Sequence, residues 1–74
     1  MKEYAVIYER GKEGEENWGA YVPDLPGCVT TGDTFEEVQA RMQELIPDFI
    51  DVLRRHGQSV PEPSHLVGMV SVAA

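Results

Sequence analysis

Four carboxylates cluster in the middle of the chain: Asp24, Asp33, Glu36 and Glu37. Acids placed in pairs could hold a divalent metal or divide general acid and base work between them. Cys28 with His56 or His65 would make a nucleophile and base if folding brought them together. The rings of Tyr8, Trp18 and Tyr21 could stack on nucleic-acid bases. Each candidate also has a plainer reading. Asp24 opens Asp24-Leu-Pro-Gly27, in which Pro26 fixes φ near −65° and Gly27 can take positive φ, as a type II turn requires. Thr34-Phe-Glu-Glu37 fits a capping box, with Thr34 as the cap and Glu37 reaching back, and Asp33 with Glu36 offers the same pattern one residue earlier. Asp33, Glu36 and Glu37 then place negative charge at the positive end of a helix dipole. Cys28 reads as a small apolar group in a strand. The stretch Gly27-Cys-Val-Thr-Thr-Gly-Asp33 lacks phosphate-loop spacing and a following lysine, and one cysteine with two distant histidines cannot build a structural zinc site. The residues therefore predict no catalytic set, no metal and no cofactor.

Those residues sit in a chain of 74 with 13 acidic and 6 basic side chains, a formal charge of −7. Such a length is one domain, 1–74, and folding buries only about 60% of the surface of the unfolded chain. Self-association is the natural source of further burial. A single thiol without a secretion signal fits a reducing, cytoplasmic setting. No apolar run approaches the roughly 20 residues that span a bilayer. Direct nucleic-acid binding needs clustered Lys and Arg, and only Arg54 and Arg55 are adjacent. An acidic surface instead favours solubility or a basic protein partner.

The elements that must position these groups follow from pattern. Residues 3–9, EYAVIYE, read as a strand, 10–17 as a charged hairpin loop, 18–23 as a second strand and 28–31 as a short third. Phe35, Val38, Met42, Leu45, Ile46, Phe49, Ile50 and Leu53 recur at spacings of three and four, one apolar helical stripe ending near His56. Arg54, Arg55 and His56 suit the helix C-terminus, and Gly57 suits the residue after it. Pro47 predicts a kink, or alternatively a break into two helices; the unbroken stripe favours one helix. A proline loop, 58–65, leads to Leu66-Val-Gly-Met-Val-Ser-Val72, which reads as a fourth strand. The expected fold is α+β, βββαβ, with sheet order 3-2-1-4, a right-handed crossover and one helix on one face.

Alternation places Tyr4, Val6 and Tyr8 on one face of the first strand and Ala5 and Ile7 on the other. Trp18, Ala20 and Val22 share a face of the second strand, opposite Tyr21. One helix covers one face only, so the sheet is expected to meet a second subunit or another protein through its uncovered face or its edges.

The stretch WGAYVPDLPGCVTTGDT, Trp18 to Thr34, the capped helix TFEEVQARMQELI and the loop VPEPS together resemble the HicB-like family, over nearly the whole chain. Members of that family are antitoxins of bacterial and archaeal type II toxin–antitoxin systems. The resemblance implies a truncated ribonuclease H-like βββαβ unit that blocks HicA, a small basic mRNA-cleaving toxin with a double-stranded-RNA-binding-like fold. Taken with the residue reading, it leads to a non-enzymatic protein, a homodimer or higher oligomer, with partner contacts expected at Trp18, Tyr21, Asp24, Glu15 and Glu16 and the helix cap read above at Asp33, Thr34 and Glu37. Full-length members also carry a DNA-binding segment after this unit. The chain ends at Ala74 without a basic helix, so operator binding is not expected of it. Two alternatives remain beside the toxin-neutralising reading: an orphan oligomeric scaffold, and a weak metal-dependent nuclease of ribonuclease H-like ancestry.

Overall fold

The computed structural model describes residues 1–12 and 15–74. Three short strands, β1 (Ile7–Arg10), β2 (Trp18–Tyr21) and β3 (Val29–Gly32), precede one helix, α1 (Phe35–Arg55). The sheet is an antiparallel meander of order β1-β2-β3. Ile7 faces Tyr21 and Arg10 faces Trp18 in the first pair, while Tyr21 faces Val29 and Trp18 faces Gly32 in the second. Positions 13 and 14 of the expected hairpin loop lie outside the described residues.

Helix α1 begins as its sequence requires. Thr34 has an extended backbone, and its Oγ1 accepts from the Glu37 amide at 3.1 Å. The Glu37 carboxylate reaches back to the amide of Asp33 at 3.2 Å, so the reciprocal arm of the capping box lands one residue before the cap. Asp33 thus contributes its backbone N–H to the cap. The helix runs through Pro47 without a break. It ends in a Schellman arrangement: Gly57, at φ 68°, donates to the Arg54 carbonyl, and the Gln58 amide donates to that of Leu53.

The apolar stripe of α1 packs on β2 and β3. Ala20, Val22, Leu25, Cys28, Val38 and Met42 form the buried core, ringed by half-buried Tyr4, Val6, Tyr8, Trp18, Leu45 and Phe49. Tyr8, Trp18, Ala20 and Val22 therefore share the helix-facing side, as alternation predicts. Phe35 packs edge-to-face with two rings, Tyr8 at 4.7 Å and Trp18 at 5.4 Å between centroids. Gly32 is required where the chain leaves β3, because a Cβ there would stand 2.9 Å from Cγ2 of Val38.

The fourth strand is where fold and expectation part. Among the described residues, 66–72 form no ladder with any strand, and the sheet has three strands in place of a four-stranded 3-2-1-4 order. The sequence is β-prone, yet a strand needs a neighbour's amides and carbonyls to bond. The preceding loop carries this segment away from the free edge of β1. Strand β1 also begins later than expected, at Ile7, since β2 has turned away beyond Tyr21 and leaves residues 3–6 without a ladder partner.

Candidate functional site

The chain between β2 and β3 folds as two consecutive tight turns. The Leu25 amide donates to the Val22 carbonyl at 3.1 Å, and the Cys28 amide donates to the Leu25 carbonyl at 3.0 Å. Pro26 and Gly27 occupy the two central positions of the second turn, with Gly27 at φ 92°, the type II geometry its sequence demands. This turns Leu25 and Cys28 inward, both with no exposed surface. Burial raises the pKa of the Cys28 thiol above its ordinary range.

Between these two apolar residues and β2, Asp24 is held at 9% exposure. Its carboxylate is fully engaged by the loop that follows the helix. Oδ1 accepts from the Ser64 hydroxyl at 2.6 Å and from Nδ1 of His65 at 2.8 Å. Oδ2 accepts from the backbone amides of Ser64 at 2.9 Å and His65 at 3.3 Å. The Ser64 bonds, hydroxyl first, outweigh the cost of desolvation and, with His65, hold the carboxyl well below the usual carboxylate range. Nearby, the Tyr4 hydroxyl donates to the Pro61 carbonyl at 2.6 Å, and Lys2 pairs with Glu62 at 2.8 Å.

An Asp, a Ser and a His in mutual contact suggest a catalytic triad, but their connectivity is different. In a triad the imidazole stands between acid and hydroxyl; here Ser64 and His65 both bond to Asp24, and Ser64 Oγ lies 3.4 Å from the same Nδ1 that faces the acid. A carboxylate stabilised by four donors is also a weak base. The arrangement is a latch that fastens the strap after the helix to the β2–β3 turn. Among the described residues, no three His, Cys, Asp or Glu side chains converge as metal ligands would. Sequence reasoning found Asp24 but missed Ser64 and His65, which are 40 and 41 residues away along the chain.

The other residues singled out from sequence lie apart from the latch. Trp18 is half-buried on the helix side, with the Arg10 guanidinium 5.0 Å above its ring. Glu15 and Glu16 are exposed beside it, and Glu15 helps line a shallow groove of about 250 Å³ with Arg10, Lys12 and Trp18. Tyr21 faces the opposite way, 39% exposed, in the row Ile7–Tyr21–Val29 that crosses the uncovered face of the sheet. The structure thus separates the five expected contact residues: Asp24 in the latch, Trp18 with Glu15 and Glu16 at the hairpin end, Tyr21 on the open face.

A sheet uncovered on one face, a type II Leu-Pro-Gly-Cys turn with both apolar residues sealed inside, and a capped helix directly after β3 form one pattern with the sequence. The family model for the HicB-like antitoxin of bacterial toxin–antitoxin systems matches residues 4–73. The chain belongs to the HicB-like antitoxin family. Its relatives include a UPF0150 protein of Thermoplasma acidophilum, 34% identical over 78% of this chain and 81% of the relative. A UPF0150 protein of Synechocystis is 35% identical over 93% and 85%. Antitoxin HicB 2 of Photorhabdus laumondii is 33% identical over 82% of this chain, which spans 42% of that longer protein. Among the described residues of this HicB-like chain, no helix is long and apolar enough to cross a membrane.

Proposed function

We propose that this HicB-like domain is a non-enzymatic antitoxin that binds and neutralises a small, basic, mRNA-cleaving toxin of the HicA type. Family membership over residues 4–73 carries the reading. Two physical features support it. A charge of −7 attracts a basic partner and speeds encounter with it. The row Ile7–Tyr21–Val29 offers an apolar patch with one aromatic anchor, the kind of centre around which interface energy concentrates. In this reading Tyr21 and Trp18 anchor the partner, Glu15 and Glu16 steer it, and Asp24 acts indirectly by fixing the strap. The protein works in the cytoplasm, where its target's mRNA substrate is, as a homodimer or higher oligomer, and does not itself contact nucleic acid. The ribonuclease H-like ancestry implied by the resemblance belongs to the same reading.

The test is inhibition. A small basic toxin of the HicA type is assayed for mRNA cleavage with the purified domain added. Cleavage should stop near molar equivalence, and Tyr21→Ala should weaken the complex about tenfold or more, as loss of an aromatic anchor does. Glu15→Gln with Glu16→Gln should slow association and flatten its salt dependence. Unimpeded cleavage at excess domain would overturn the proposal.

A further inference from the structure

The segment Leu66–Val72 has five large apolar side chains and no charged one in a chain of charge −7. Leu66, Met69 and Val70 are 101%, 93% and 87% exposed. Among the described residues none of its side chains is buried, and the buried apolar core is only six residues. Such a stretch, β-prone and apolar, is a strand without a sheet.

The sheet offers two edges, and they differ. Val22 donates to Cys28 between β2 and β3, so the ladder alternation makes Ala20–Thr30 the next bonded pair and turns the polar backbone of Thr31 outward. That outward Thr31 carbonyl is taken by the Arg41 guanidinium, which also pairs with Glu37. The β3 edge is capped by a side chain. On the other side Gly11 donates to Asn17, so Glu9–Gly19 and Ile7–Tyr21 are the bonded pairs and the N–H and C=O groups of Tyr8 and Arg10 face away from β2. Among the described residues nothing bonds to the β1 edge.

The latch decides which copy's strand can fill it. The strap passes Tyr4 at Pro61 and reaches Asp24, in the β2–β3 connection, at Ser64 and His65. Tyr4 and Asp24 lie at the same end of the sheet, so the strap crosses that end from the β1 side toward the β2–β3 side, and Leu66 starts out with its own free edge behind it. We infer that Leu66–Val72 is an exchanged arm, which adds as a fourth strand to the β1 edge of a second copy of this chain. Arm and edge occur in the same chain, so two copies satisfy each other reciprocally in a closed dimer. The arm carries no charge, so it is the part of this acidic molecule that approaches a like-charged copy without repulsion. Two arms with the two edges they cover reach the scale of roughly 1,200 Å² that a stable interface needs. This deepens the self-association part of the proposed function and is independent of the toxin.

Sedimentation of the full chain at micromolar concentration should give twice the 8.3 kDa chain mass. Met69→Pro with Val70→Pro then removes the ladder N–H whichever way the arm faces, because neighbouring amides point to opposite sides. These positions lie outside the core, so the circular dichroism of the folded body should not change, while dimer affinity should fall about 100-fold or more and the melting temperature should lose its dependence on protein concentration. In an equal mixture of isotope-labelled and unlabelled copies, filtered NOEs should connect the arm of one copy to Tyr8 and Arg10 of the other. A dimer that survives the double proline substitution overturns the arm and leaves self-association standing. A monomeric wild type overturns both. Arm-to-β1 NOEs within one copy, or arm contacts that form only with an added toxin, overturn exchange.

Discussion

The turn between β2 and β3 and the strap after the helix lie against each other, joined through one carboxylate. Residues 22–28 hold themselves: two backbone bonds close two turns, a third from Val22 to Cys28 clamps their base, and Val22, Leu25 and Cys28 disappear into the core. Residues 60–65 are held by polar bonds to groups elsewhere, Tyr4, Lys2 and above all Asp24, with Val60, Pro61 and Pro63 only half-buried. One region is stabilised by local geometry and fully buried area, the other chiefly by a few donors on one acid and by side chains that stay half in solvent. Damage to the turn should therefore unfold the domain, whereas damage to the latch should release the strap and leave the body folded.

The largest effect should come from Leu25→Ala. Removing a fully enclosed side chain from so small a core should cost about 2–5 kcal/mol in urea denaturation, enough to leave much of the population unfolded. Gly27→Ala should cost about 1–2 kcal/mol by the same measurement, since φ 92° strains any residue with a Cβ. Equal melting of wild type and G27A would contradict the turn geometry.

The latch should answer to pH while the body does not. Asp24 has a folded pKa depressed below the unfolded value near 3.9, so its stabilisation is complete above about pH 4 and is lost as pH falls below that. Hydrogen exchange at the Ser64 and His65 amides should lose protection by as much as about tenfold per pH unit in that range. Asp24→Asn should abolish the dependence and expose both amides at neutral pH, with helix amides unaffected. If the helix amides open together with the strap, the two regions are one cooperative unit after all. The smallest effect belongs to Lys2→Ala or Glu62→Ala: both side chains are largely exposed, 46% and 76%, so the loss should stay below about 1 kcal/mol.

The contrast also explains what the sequence could reveal. The type II turn, the Thr34 cap, the Gly57 terminus and the face assignments of Tyr8, Trp18, Ala20 and Tyr21 all depend on residues a few positions apart, so local stereochemistry declares them. The helix crossed Pro47 because the apolar stripe kept its phase on both sides. The partners of Asp24 could not be read the same way. Ser64 and His65 are ordinary polar residues in a proline loop, and only the closed fold brings them across 40 positions to one carboxylate. Leu66–Val72 shows the other limit: hydrophobicity and β-propensity say that a segment wants a neighbouring strand, but not where in space that neighbour is.

Cys28 carries a consequence of its own. Its sulfur has no exposed surface, and burial disfavours the thiolate. Oxidants and electrophiles act on the ionised, accessible form, so the folded protein withholds its one thiol on both counts. Thiol oxidation is thereby confined to chains that have already lost their core, and a change in oxidant leaves Cys28 of the native population untouched.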